Sequence, residues 1–307
     1  MAALAFGCLV YVALVLLDPF MTGRFGVMRW ARTYDIGPRT ANVLRLRDPD
    51  FTAAIIGNST IQLLNPERLN ALSGERFVQL STPGTGPMEQ VVLIEALLRQ
   101  PGSAIQTLVL GLDPSWCDPA RISSTKNPFP FWLYDTSPLA YLRNLFRANS
   151  IEAVFRRIRL QGSKGQQARR DGYWDYETPE YKAARRGPIV IPEIVPSPTG
   201  ETSAVRALQR LLEILPASMR LVLVHPPVFV PDPPQASPTG IAAKQICKVE
   251  LAQAALRRPR TVLLDRWVDD DLTRQSGMFY DGQHYRGAFA LVLENDLAKL
   301  LKRPNPP

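Results

Sequence analysis

A serine near the start of the chain and a histidine near its end are the side chains whose types and settings point most directly to chemistry. Ser59 follows an apolar run in Gly57-Asn58-Ser59-Thr60, and His284, one of two histidines, closes Asp281-Gly282-Gln283-His284. A serine hydroxyl becomes a nucleophile when an imidazole takes its proton and a carboxylate orients that imidazole. These fragments therefore predict Ser59 as nucleophile, His284 as general base and Asp281 as the orienting acid.

Each fragment alone also has a purely structural explanation. Serine is a common helix N-cap, so Gly-Asn-Ser after a strand suits a tight turn, and a loop aspartate such as Asp281 can cap the helix that follows it. Both fragments, however, come at the ends of predicted strands in an alternating chain. Their common placement at one sheet edge favours the catalytic interpretation.

The elements that must position these residues are short apolar strands alternating with helices. Strands are predicted at 53–57, 77–80, 107–112, 221–225 and 261–265. Helices are predicted at 87–99, 203–215, 241–257 and 287–301 from apolar residues spaced three and four apart. Such strands suit burial on both faces of a parallel sheet. The predicted fold class is α/β, a three-layer α/β/α domain with a mainly parallel five-stranded sheet.

Length and composition favour one principal globular domain. The chain has 307 residues, of which 46% are hydrophobic and 21% are charged. We expect the α/β domain to span 53–307, with a long insertion at 114–200 that is rich in proline, arginine and aromatic residues and contains a helix near 138–160. An insertion after a strand's carboxyl end commonly shapes a substrate site, although its aromatic residues can equally serve only to pack it onto the body.

The N-terminus predicts a membrane anchor at 1–24, followed by a juxtamembrane segment at 25–52. Residues 2–17 carry no charge, and a secretory signal is the less favoured interpretation because neither a basic leader nor a small-residue cleavage site is evident. The arginines that follow the span would place the domain in the cytoplasm by the positive-inside rule. A missing basic leader would remove that conflict, and we expect a single-pass protein whose domain lies outside the cytoplasm.

The net charge of +8 accompanies scattered arginines and no nucleic-acid motif, which favours a solvated basic surface over nucleic-acid binding. Two histidines and no clustered carboxylates give no metal site, and no cofactor is indicated. Cys117 and Cys247 are expected to be buried thiols, with a disulfide between them left open for an oxidising compartment.

With these residues in view, the chain from 53 to 301 resembles the SGNH, or GDSL-like, hydrolase superfamily. Gly57-Asn58-Ser59 is similar to the first block of that family, with Asn58 at the usual aspartate, and Asp281 with His284 matches the last. Ser81-Thr82-Pro83-Gly84-Thr85-Gly86 resembles the second block, so the resemblance implies Gly84 or Gly86 as an oxyanion donor. The third block departs from the family, because Asp113 stands where the family has an asparagine.

The departure at Asp113 affects the expected mechanism. An ionised carboxylate pointing into the site would repel an oxyanion, so Asp113 either turns away or makes the site unlike an ordinary esterase. Trp116 and His225, which follow the third and fourth strands, are further candidates for substrate contact by position. For His225, a structural role in the proline-rich loop is the favoured alternative.

The resemblance implies a membrane-anchored, serine-dependent O-acyl esterase or acyltransferase acting on a cell-surface polysaccharide, as in SGNH-like proteins of polysaccharide acylation. The alternative is a non-catalytic glycan-binding or scaffold protein that partners a membrane-bound O-acyltransferase. A lipase-like enzyme at the bilayer is a third, weaker interpretation. Hydrolysis and transfer share an acyl-serine and differ only in whether water or a sugar hydroxyl accepts the acyl group.

Overall fold

The computed structural model of this protein contains one five-stranded sheet in which every pairing is parallel. It describes residues 1–27, 37–118, 121–123, 128–160, 168–177, 203–231 and 238–303. The strands are β1 (Ala53–Ile56), β2 (Phe77–Gln79), β3 (Thr107–Gly111), β4 (Arg220–His225) and β5 (Thr261–Asp265), in the order β2-β1-β3-β4-β5. This is the flavodoxin-like order of doubly wound sheets, whose ligands bind beyond the carboxyl ends of the strands.

Helices cover both faces of the sheet. They are α1 (Ala2–Leu17), α2 (Pro38–Arg45), α3 (Pro66–Ser73), α4 (Pro87–Leu98), α5 (Phe131–Tyr134), α6 (Pro138–Leu145), α7 (Ala148–Leu160), α8 (Ser203–Ile214), α9 (Pro238–Leu256) and α10 (Gly287–Lys302). The predicted three-layer α/β/α fold with its parallel sheet is confirmed.

Alternation along β1 shows how the layers form. Ala54 and Ile56 are buried in the apolar cluster that contains residues of α4, α8 and α9, whereas Ala53 and Ile55 are buried in the cluster that contains residues of α3 and α10. Side chains alternate between the two faces of a strand, so a run without polar residues is what a strand covered on both faces requires.

The insertion follows the sequence prediction only in part. The helix expected near 138–160 is two helices, α6 and α7, because Phe146 leaves the helical conformation with φ −80° and ψ 74°. Residues 119–120, 124–127, 161–167 and 178–200 of the insertion, and 28–36 of the juxtamembrane segment, lie outside the described residues. The short helices α2, α3 and α5 were not predicted.

The apolar N-terminus forms α1, which ends at Asp18 in a left-handed conformation. Among the helices that the structure describes, none is both long enough and apolar enough to span a bilayer.

Candidate active site

Ser59 opens a 3₁₀ turn directly beyond the carboxyl end of β1. Asn58 caps this turn, because its Oδ1 accepts hydrogen bonds from the Thr60 backbone N–H at 3.0 Å and from the Thr60 hydroxyl at 2.9 Å. Both of these neighbours are buried, whereas Ser59 stays partly accessible. The cap therefore fixes the backbone on which the Ser59 hydroxyl is presented.

The fold brings His284 to Ser59 across 225 positions of sequence. Ser59 Oγ lies 2.8 Å from His284 Nε2, and His284 Nδ1 lies 2.8 Å from Asp281 Oδ2. Both separations are within the hydrogen-bond range that proton transfer requires. Because a carboxylate can only accept, Nδ1 carries the hydrogen and Nε2 is left to accept the serine proton.

The Asp281 carboxylate is ordered by its own loop. Its Oδ1 accepts hydrogen bonds from the backbone N–H groups of Gln283 and His284, each at 2.8 Å. Burial raises the pKa of this carboxyl, but its hydrogen bond and charge interaction with His284, together with those two N–H groups, lower it further, so the net pKa lies below the ordinary value. The Asp281 side chain is half exposed and that of His284 is 27% exposed, so the triad sits at an accessible rim.

The loop after β2 lies against the same edge, since the Thr82 N–H donates to Gly57 O at 2.9 Å. Gly86, one of the two predicted oxyanion donors, donates its N–H to Glu89 Oε2 at 2.9 Å and thereby caps α4. A Cβ at Gly86 would lie 2.4 Å from Arg121 O, so this position needs glycine for packing. Gly84 has φ 68°, the left-handed region that glycine adopts without strain. Gly84 is thus the better candidate donor of the two.

Asp113 does not stand free in the site. Its carboxylate accepts from the Ser115 N–H at 3.1 Å and from the Ser115 hydroxyl at 2.8 Å, which caps the 3₁₀ turn Pro114–Cys117. Burial raises the pKa of Asp113, and hydrogen bonds from the side chains of Asn58 and Ser115 oppose that rise. The Asp113 carboxylate is therefore engaged by hydrogen bonds from neighbouring residues.

Two residues predicted to contact substrate are fully buried. Trp116 has no accessible surface and donates its indole N–H to Gln90 Oε1 at 3.0 Å. His225 is equally buried, and its Nδ1 lies 2.9 Å from Leu112 O. Neither ring is accessible to a ligand in this structure. This agrees with the structural role favoured for His225, whereas the candidate substrate contact of Trp116 is replaced by a buried hydrogen bond.

Cys117 and Cys247 form a disulfide, with their Cα atoms 5.6 Å apart, so the expected free thiols are wrong and the alternative left open applies. Within the described residues, no group of three or more histidine, cysteine, aspartate or glutamate side chains is placed to hold a metal ion.

The aromatic-rich insertion, predicted to shape a substrate site or only to pack onto the body, contains a patch at 173–176. The Tyr176 ring packs edge-on against His284, with centroids 6.3 Å apart, and its hydroxyl donates to Tyr285 O at 3.1 Å. Gln62, three residues after Ser59, donates to Trp174 O at 3.4 Å, and the Trp174 side chain is exposed. The insertion therefore borders the triad.

The chain matches no protein-family model and no curated protein. Among solved structures it is similar to a carbohydrate esterase whose active site is described as displaying divergent catalytic and non-catalytic binding functions. The identity is 12% and the TM-score 0.33, with 83% of this chain and 65% of that chain covered. The chain thus spans less than two thirds of that esterase, and the score is too low to carry its activity over. The five-stranded parallel sheet is consistent with an SGNH fold.

Proposed function

We propose that this protein is an SGNH-type serine esterase or acyltransferase that acts on O-acyl groups of a cell-surface polysaccharide. The observation that carries the proposal is the Ser59–His284–Asp281 chain of hydrogen bonds, at 2.8 Å for each of its two links. An activated nucleophile needs a positioned serine, an imidazole whose free nitrogen can accept the serine proton, and a carboxylate that orients the imidazole. Here the serine lies on a capped turn, and two backbone N–H groups hold the carboxylate.

In the proposed reaction, Ser59 Oγ attacks the ester carbonyl carbon while His284 Nε2 takes the serine proton. The tetrahedral intermediate collapses when His284 returns that proton to the departing alcohol oxygen, leaving an acyl group on Ser59. Water or a sugar hydroxyl then loses its proton to His284 and attacks the acyl-serine, and the proton returns to Ser59 Oγ. Asp281 stays ionised throughout and stabilises the imidazolium.

The developing oxyanion needs N–H donors, and the side-chain amide of the family's third block is absent here. Since Thr60 N–H is held by Asn58 and Gly86 N–H by Glu89, the backbone N–H groups of Ser59 and Gly84 are the proposed donors. Asp113 is outside this set because its carboxylate is engaged by Ser115.

We further propose that α1 anchors the protein in a membrane and that the domain lies outside the cytoplasm. The Cys117–Cys247 disulfide supports an oxidising compartment, because such bonds are rare in the cytosol. A polymeric glycan fits the exposed Trp174, whose carbonyl accepts a hydrogen bond from Gln62, three residues after Ser59. A membrane-bound O-acyltransferase is the proposed source or recipient of acyl groups. A phosphatase fusion at the C-terminus tests the compartment, since only an external fusion is active.

Labelling with a fluorophosphonate tests the catalytic proposal directly. We expect the wild-type protein to be labelled and Ser59→Ala to lose labelling and ester turnover entirely. Ser103→Ala, an exposed serine before the amino end of β3, is the matched control and should label as wild type. Absence of labelling in folded wild-type protein would contradict the proposal. If Ser59→Ala also kept glycan binding and biological function, the scaffold alternative would replace it.

A further inference from the structure

The insertion helices α6 and α7 present apolar side chains to solvent. On α7, Ile151, Phe155 and Ile158 are exposed, and their spacing of four and three residues places them on one face of the helix. Leu139 of α6 and Phe146 after it are also exposed. We call these five residues the α6–α7 apolar face. A run of exposed large apolar residues on adjacent helices marks an interaction surface.

This face is continuous with α1. Tyr11 of α1 donates its hydroxyl hydrogen to Leu142 O of α6 at 3.1 Å, and its ring meets that of Phe146 with centroids 6.2 Å apart. α1 itself exposes Leu4, Leu9 and further apolar side chains. The most apolar helix of the chain and the α6–α7 apolar face therefore belong to one surface.

Positive charge surrounds the same face. Residues 138–160 contain five arginines and one glutamate, a net charge of +4. Arg143, Arg147, Arg156 and Arg159 are exposed. Next to the start of α6, a cavity of about 140 Å³ is lined in part by three further arginines, Arg24, Arg47 and Arg99. An apolar helix face bordered by arginines is the pattern of helices that lie in the plane of an anionic membrane interface.

We propose that the α6–α7 apolar face binds the surface of an anionic bilayer, with Phe155 and Ile158 at the boundary between headgroups and acyl chains and the arginines at the phosphates. This contact is additional to the anchoring role of α1 and does not depend on catalysis. It would hold the domain in one orientation relative to the bilayer.

Depth-dependent fluorescence quenching in vesicles tests the proposal with the full chain. Phe155→Trp places a reporter on the face, and Leu291→Trp, on an exposed position of α10 in the other helical layer, is the matched control. The signal of wild-type protein, which carries five tryptophans, is subtracted. In vesicles of phosphatidylglycerol and phosphatidylcholine with brominated acyl chains, we expect the added fluorescence of Phe155→Trp to fall at least twofold and that of Leu291→Trp to stay unchanged.

A second test removes the charge from either the protein or the lipid. Arg156→Gln combined with Arg159→Gln, or vesicles of phosphatidylcholine alone, should reduce the quenching of Phe155→Trp, while circular dichroism shows that the fold is kept. Ile158→Trp serves if Phe155→Trp fails to fold. Equal quenching of both reporters, or free access of iodide to the reporter of Phe155→Trp in vesicles, would overturn the proposal. Shielding from iodide without bromolipid quenching, rising with protein concentration, would overturn it in favour of a protein partner.

Discussion

At the scale of single residues, the most informative feature is the pair formed by Asn58 and Asp113. The resembled family has an acid at the first position and an amide at the second, and this chain has the reverse. The two side chains interact in a buried setting, so one amide and one carboxyl remain together there. A carboxylate at position 113 would by itself repel an oxyanion, and here it is accompanied by an amide at position 58, with which it interacts.

Exchanging the two residues tests whether they act as a pair. Asn58→Asp alone places two carboxylates in buried contact, so we expect the free energy of unfolding to fall by about 2–4 kcal/mol. Adding Asp113→Asn should restore the free energy of unfolding to within about 1 kcal/mol of wild type, because one carboxyl and one amide again face each other. Urea unfolding of the four proteins measures the coupling, and fluorophosphonate labelling rates report on the site. Strictly additive losses would mean that the two side chains do not interact.

At the scale of elements, the strands and long helices were predictable because each carries its own periodicity. β5 and α10, for instance, differ from the predicted ranges by at most one residue. The short helix α3 was missed because eight residues show little periodicity, although Pro66 at its start and Gly74 at φ 79° mark its ends. The approach of His284 to Ser59 was predictable because both residues follow strand ends at one edge of the sheet, and the structural role favoured for His225 agrees with its burial. The burial of Trp116 was not predictable, since it depends on packing between distant elements.

The placement of 168–177 beside the triad also depends on distant contacts. Asp171 O accepts the Gln79 N–H at 2.6 Å, next to β2, and Arg45 of α2 donates to Arg169 O at 3.1 Å. Gly172, at φ 80°, approaches so closely that a Cβ would lie 2.0 Å from Gln79 O. No local pattern reveals these contacts, yet they hold the segment in which Trp174 contacts Gln62 and Tyr176 contacts His284.

If Trp174 stacks on a sugar ring, its loss should affect polymers and spare small esters. We expect Trp174→Ala to lower kcat/KM on an O-acetylated polysaccharide by about tenfold, mainly through KM, because about 1.4 kcal/mol of contact is removed. Turnover of p-nitrophenyl acetate should change less than about twofold, since the triad is untouched. Phe131→Ala, at an exposed aromatic residue of α5, is the matched control. Equal losses on both substrates would point to a structural role for Trp174.

At the scale of the whole molecule, the parallel sheet separates two tasks. The triad uses the carboxyl end of β1 and the loop after β5, whereas α1, α6 and α7, which carry the exposed apolar face, pack through their buried side chains on the layer of α4, α8 and α9. The disulfide from the turn after β3 to α9 ties that layer to the sheet, and the buried His225 at the end of β4 is hydrogen-bonded to Leu112 O just beyond β3. The stability of this region therefore depends on groups that take no part in the proposed reaction.

His225 gives the molecule a predicted dependence of stability on pH. Burial lowers the pKa of its imidazole, the Leu112 carbonyl and Asp265 oppose that shift, and Lys248 and Lys244 add to it. In the unfolded chain, His225 takes up a proton as the pH falls through about 6.5, whereas in the folded protein it does so only at lower pH. The contribution of His225 to stability is therefore complete above about pH 6.5 and is lost as the pH drops towards the folded pKa. The slope from this residue reaches at most about 1.4 kcal/mol per pH unit.

Urea unfolding from pH 8 to pH 5 measures that slope. His225→Gln keeps an amide donor for Leu112 O but does not titrate, so we expect a lower free energy of unfolding at pH 8 and a flatter decline below pH 6.5. Because His284 and the carboxylates are unchanged in the variant, the difference between the two curves isolates His225. Parallel curves would show that His225 takes up its proton equally in both states, which its complete burial without an acidic hydrogen-bond partner argues against.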